Sequence, residues 1–158
     1  PHSIGFWFRL SLIIIIPTAA GVALYYTKRK KQQALKETLI AMGVNSPMKL
    51  SPTDYEKFCA LLLEKNGWKT ELTKATGDYG ADIIASKRGT KIVVQCKQWT
   101  DAVGVKAVQE VHSAIGYYKA HKGIVVSTAN YTASAKELAS KLGVLLLSHN
   151  DLIDLKSL

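Results

Sequence analysis

The chain opens on an apolar run and then changes character twice. Ile4 to Tyr26 is almost wholly apolar, interrupted by Arg9, Ser11, Pro17 and Thr18. A helix of about 20 predominantly apolar residues is long enough to cross a bilayer, and this run just reaches that length. Trp7, Tyr25 and Tyr26 lie near its two ends, where amphipathic rings favour a membrane interface. Lys28-Arg29-Lys30-Lys31 follows at once, and such clusters stay on the cytoplasmic side. Residues 1–27 are therefore expected to form a single-pass membrane anchor through residues 4–26, with the following domain in the cytoplasm. A signal peptide fits less well, because its charge precedes the apolar run and a small-residue cleavage site follows it. A core helix with no polar face would need a larger protein around it. Pro17 is tolerable in a membrane helix and can kink it. The chain begins with Pro1 rather than Met, which leaves its true N-terminus open.

Residues 28–49 are polar and basic and read as a juxtamembrane linker. Leu35, Leu39 and Met42 can share one stripe of a short helix over Gln32 to Met42, before Asn45-Ser46-Pro47 breaks the pattern.

Residues 50–158 alternate between two periodicities, with no internal repeat. Ser51-Pro52-Thr53-Asp54 combines an N-cap serine, a proline in the first helical position and an early acid, so a helix starts there. Tyr55, Phe58, Cys59, Leu62 and Leu63 form its apolar stripe, and Asn66-Gly67 ends it. Trp68 to Thr73 alternates like a strand, Gly77 to Gly80 forms a turn, and Ala81 to Ser86 is a second strand. A connection over Lys87-Arg88-Gly89-Thr90 leads into a third strand, Lys91 to Lys97. Helices are expected over Ala102 to Ala120 and Thr132 to Leu142. Apolar strands are expected over Gly123 to Thr128 and Val144 to Leu147, with a short closing helix from Asn150. The first three strands are close enough to pair as an antiparallel meander, whereas strands separated by helices need crossovers and pair in parallel. The fold class is α/β: a three-layer α/β/α sandwich with a mixed central sheet, preceded by the transmembrane helix.

Charge adds little to the domain. The net charge of +9 is concentrated early, since residues 1–49 hold seven basic residues against one acid. Residues 50–158 hold fourteen basic and eleven acidic residues, which is weak support for nucleic-acid binding. Cys59 and Cys96 lie far apart in apolar surroundings, with no zinc or disulfide spacing. His112, His121 and His149 form no metal-ligand spacing either.

The unusual positions are at the end of the third expected strand. Side chains two apart on a strand share a face, so Gln95 and Lys97 project together with Val93 while Cys96 points the other way, into the core. Asp82, at the start of the hairpin partner, lies near the level of Gln95 or Lys97. A carboxylate, an amide oxygen and an ammonium can thus converge. Hard divalent cations take oxygen ligands, which Asp82, Gln95 and the Cys96 backbone carbonyl can supply. A bound cation acidifies water, and Lys97 can stabilise charge on phosphate. On spacing alone the pattern is weak, and an Asp that caps a turn with a solvated Gln-x-Lys face fits it better than a metal site does.

Longer motifs weigh on this choice. Gly80-Ala81-Asp82-Ile83-Ile84 followed by Ile92-Val93-Val94-Gln95-Cys96-Lys97 resembles the Mrr-like branch of the PD-(D/E)XK nuclease superfamily. The likeness extends through Tyr55 to Phe58, Lys65 to Trp68, Val103 to Glu110, Lys122 to Thr128, Tyr131 to Ala135, Val144 to Leu147 and Asn150 to Leu152. It implies a metal-dependent endonuclease of restriction type that acts on foreign or modified double-stranded DNA with Mg²⁺, or with Mn²⁺ in its place. Asp82 matches the family's metal-binding Asp and Lys97 its catalytic Lys. Gln95 occupies a position that is Asp or Glu in the wider superfamily. Glu56 matches an acid on the first helix that helps hold the metal or position water, and Gln109 matches a polar position facing the site from the next helix. Ser127 and Thr128 end a parallel strand, where ligands often bind. Lys87 and Arg88, with Lys91, Lys106 and Lys119, are candidate contacts to the DNA backbone. A homodimer would supply the two active sites that cutting both strands calls for. Two other readings stay open: a DNA-binding or sensing module with little catalysis, favoured by the neutral Gln95, and a membrane-associated interaction domain.

Overall fold

The computed structural model describes residues 4–73 and 79–155, and for residues 4–19 the helical backbone alone. Gly77 and Asp78 of the expected turn lie outside the described residues. The chain divides into two compact units, residues 1–38 and residues 39–158.

The first helix, α1, is continuous over Ile4–Asn45, so the stretch read as a linker is helical as far as Asn45. The expected anchor is not supported: among the described residues, no helix is long and apolar enough to cross a membrane. Membrane tethering, the membrane as a partner and the single-pass localisation fall with it.

In the second unit, α2 (Pro52–Lys65) starts as the sequence dictates, with the Ser51 hydroxyl accepting from the Asp54 amide and proline in the first turn. Strands β1 (Lys69–Leu72), β2 (Ile83–Lys87) and β3 (Thr90–Lys97) form the antiparallel meander. Helix α3 (Val105–Tyr118) crosses over to β4 (Lys122–Ser127), and α4 (Ala133–Leu142) crosses over to β5 (Leu145–Ser148). Both later pairings, β3 with β4 and β4 with β5, are parallel, so the sheet runs in the order β1-β2-β3-β4-β5. Helix α5 (His149–Ile153) opens with a capping box between Ser148 and Asp151.

The sheet separates two cores. Ile83, Ala85, Ile92, Val94, Ile124 and Val126 pack towards α2 and α5, and Leu39 and Ile40 of α1 join that layer. Val93 and Val125 pack the other way, against Val108 and Val111 of α3 and Ala135 and Ala139 of α4. The result is a three-layer α/β/α sandwich with a mixed sheet. Strand alternation then dictates that Gln95 and Lys97, in phase with Val93, leave β3 on the α3 side.

Candidate active site

The hairpin register assembles the site. Ile83 pairs with Val94, so Asp82, one residue beyond, stands level with Gln95. The Asp82 amide donates to the Val94 carbonyl at 2.8 Å, and the Asp82 carbonyl accepts from the Thr73 amide at 3.0 Å. Its carboxylate turns to β3, where Oδ2 accepts from Gln95 Nε2 at 2.8 Å and from the Cys96 amide at 2.6 Å. Asp82 is 8% exposed and Gln95 6%, so this cluster is close to dry. In it the Gln95 Oε1 atom is buried without a hydrogen-bond partner. An amide oxygen left that way costs about 1–3 kcal/mol.

Lys97 leaves the strand next to this pair. Its ammonium lies 3.1 Å from Glu110 Oε2 on α3 and 5.5 Å from the centroid of the Trp99 ring. A shallow cavity beside them is lined by Lys97, Trp99, Val103, Gly104, Lys106 and Glu110.

Cys96 points to the opposite layer, against the core that holds Cys59. A hydrogen bond with Cys59 and burial push its thiol well above the ordinary range, with Asp82 and Glu56 adding to the effect. A thiol so held stays protonated and is a poor nucleophile. The contribution of Glu56 puts that half-buried carboxylate within electrostatic reach of Cys96 from α2.

The other sequence candidates lie elsewhere or are otherwise engaged. Gln109 is exposed and lines a groove between α3 and α4 with Val105, Ser134, Glu137, Leu138 and Lys141. Its neighbour Glu110 is the residue that reaches Lys97. Ser127 is fully buried at the end of β4, and its hydroxyl accepts from the Ala129 amide at 2.9 Å. Thr128 donates from its hydroxyl to the Trp99 carbonyl at 2.7 Å and from its amide to the Lys97 carbonyl at 3.1 Å. Both residues thus brace the loop that follows the site. Lys87 and Arg88 sit at the far end of the hairpin from Asp82, where Lys87 donates to the Asn66 carbonyl at 2.6 Å.

Sequence reading missed Glu110, although the helix itself carried the signal. Ala107, Val108, Val111 and Ala114 are the buried face of α3. At 3.6 residues per turn, Gln109 falls about 170° from the centre of that face and Glu110 about 90°. Only Glu110 flanks the sheet.

The mixed sheet thus brings a carboxylate, an amide and an ammonium together at one end of the hairpin. The sequence profile of the restriction endonuclease family matches residues 47–156. The chain belongs to this family, as an Mrr-like member of the PD-(D/E)XK group. It is similar to the type IV methyl-directed restriction enzyme EcoKMrr of Escherichia coli strain K12, with 30% identity over 135 residues. That alignment covers 78% of this chain and 44% of the relative, so the chain spans less than half of that enzyme's length. Among solved structures, the DNA modification-dependent restriction endonuclease AspBHI shares the fold at a TM-score of 0.55 and 23% identity, over 77% of this chain and 33% of that one. A protein of unknown function, AF1548, does so at a TM-score of 0.51 and 16% identity, over 59% of this chain and 55% of that one.

Proposed function

We propose that the domain is a metal-dependent DNA endonuclease that hydrolyses phosphodiester bonds in foreign or modified double-stranded DNA. The observation that carries this reading is the unpartnered, buried Gln95 Oε1 next to the Asp82 carboxylate. A bound cation would satisfy an oxygen in that state. Among the described residues, no three His, Cys, Asp or Glu side chains gather to hold a metal ion. The donor set is instead one carboxylate with an amide and a backbone carbonyl, from Asp82, Gln95 and Cys96. All three are hard oxygen ligands, which suit Mg²⁺, or Mn²⁺ in its place. When bound, such a cation supplies Lewis acidity to a phosphoryl oxygen and acidifies water.

The chain's own groups divide the remaining work. Asp82 orients Gln95 through the 2.8 Å hydrogen bond and anchors the backbone at Cys96. Lys97 offers an ammonium to the charge that builds on the phosphate oxygens as the attacking oxygen bonds to phosphorus. On the family likeness alone, Glu56 of α2 would add the negative charge that an amide at position 95 does not bring. The similarity to a methyl-directed enzyme supports methylated DNA as the substrate to test first.

Gln95 also favours a second reading, a DNA-binding module without cleavage, because an amide brings no charge to the cation. Titrating Mg²⁺ into the full chain with methylated DNA separates the two. The nuclease reading expects metal-dependent cleavage. Salt-sensitive binding with no cleavage at any metal concentration assigns the second reading instead.

A further inference from the structure

We infer that Glu110 is the positioning residue for Lys97, and that the loop carrying Asp82 is clamped to α3 so as to set this pair in place. The inference rests on the nuclease reading for what Lys97 does. A lysine head rides on four rotatable carbons, and its strand alone leaves the ammonium free to wander. Here it is held from two directions, by Glu110 Oε2 at 3.1 Å and by the face of Trp99 at 5.5 Å. The Lys97 and Glu110 side chains are 15% and 31% exposed, so solvent screens this pair only in part. Lys106 approaches the other Glu110 oxygen at 3.9 Å but is 86% exposed, and it contributes little.

Where Glu110 stands depends on α3, and two contacts fix α3 against the segment leading to Asp82. Gly80 has φ +86°, and its α carbon lies so close to the Glu110 backbone that a Cβ there would overlap the Glu110 carbonyl. One residue earlier, Tyr79 has φ +50°, a strained value for a residue with a side chain. Its ring stacks on Tyr117 of α3, with centroids 3.7 Å apart and planes 18° apart. Both clamps lie within three residues of Asp82. The distance between the carboxylate of Asp82 and the head of Lys97 is thereby set through α3 as well as through the hairpin.

The test is a set of full-chain variants: E110Q, E110D, K97M and the double variant E110Q/K97M. In single-turnover cleavage of methylated DNA with Mg²⁺, E110Q lowers the rate by about a hundredfold, as an ångström-scale misplacement does. Half-saturation by DNA stays within about twofold, because the lost contact is not one to substrate. E110D, which keeps the charge, recovers part of the rate. A second readout needs no activity: urea unfolding midpoints of the same four variants. The pair predicts that E110Q lowers the midpoint in the wild-type background and leaves it unchanged in the K97M background. An unaltered rate in E110Q overturns the inference. So does a loss confined to DNA affinity, or an E110Q effect on the midpoint that is the same in both backgrounds. If the wild-type chain is inert on every DNA, the nuclease reading fails, and the unfolding cycle alone still decides whether Glu110 holds Lys97.

Discussion

Asp82 and Gln95 are joined by a 2.8 Å hydrogen bond from the Gln95 amide nitrogen to the Asp82 carboxylate, which leaves the Gln95 oxygen buried and unbonded. The pair is thus oriented with an acceptor to spare. Changing Gln95→Glu replaces the donated hydrogen bond with two adjacent carboxylates. Like charges in a dry site repel, so the metal-free variant should unfold at a lower temperature than wild type. With Mg²⁺ the second charge favours binding, and half-maximal cleavage should need about tenfold less Mg²⁺. Melting curves with and without Mg²⁺, beside cleavage titrations, check both halves.

His149 gives the fold a pH dependence. It is buried and packs against the rings of both Tyr55 and Phe58, with its Nδ1 atom 3.4 Å from the Tyr55 hydroxyl. Burial lowers its pKa from the ordinary 6.5, against a smaller opposing effect of the Gly43 backbone. The unfolded chain then binds the proton more readily than the folded one. This contribution to stability is fully present above about pH 6.5 and declines as the pH falls through that value towards the lower folded-state pKa. Urea midpoints should therefore drop between pH 7.5 and pH 5, and His149→Phe should flatten the drop. An equal drop in the variant would assign the pH dependence to other groups.

Tyr131 ties the two parallel strands at the C-terminal side of the sheet. Its hydroxyl lies 2.8 Å from both the Val125 and the Leu147 carbonyl oxygens. Tyr131→Phe removes the donor and leaves those acceptors short of a partner, at a cost of about 1–3 kcal/mol in unfolding free energy. The expected site of damage is β4 and β5, so hydrogen exchange should quicken there ahead of the β1–β2 hairpin.

The layers and the sheet were legible in the sequence because their causes are local. Ser51-Pro52 marks a helix start, the short connection at residues 87–90 dictates a hairpin, and helices between later strands force parallel pairing. The level of Asp82 with Gln95 followed from hairpin counting, and the opposite facing of Cys96 from the two-residue period. Three things did not follow. The run from Ile4 was counted by hydropathy as a span, yet it is the start of a helix that continues through a basic cluster to Asn45. Gln109 was singled out by the family likeness, whereas its neighbour Glu110 is the residue that reaches Lys97, and one residue on a helix is a 100° turn. Tyr79 and Gly80 read only as a turn, because their contacts to Tyr117 and Glu110 join positions more than thirty residues apart.

The most direct test of the nuclease centre is cleavage of methylated and unmethylated double-stranded DNA by the full chain. Wild type is assayed beside Asp82→Ala and Lys97→Ala, with Mg²⁺ and with a chelator. The account predicts Mg²⁺-dependent cleavage by wild type and a loss of roughly a hundredfold or more in each variant, with circular dichroism unchanged. Cleavage that survives in both variants, or a wild-type chain inert on either DNA with Mg²⁺ and Mn²⁺, would contradict it.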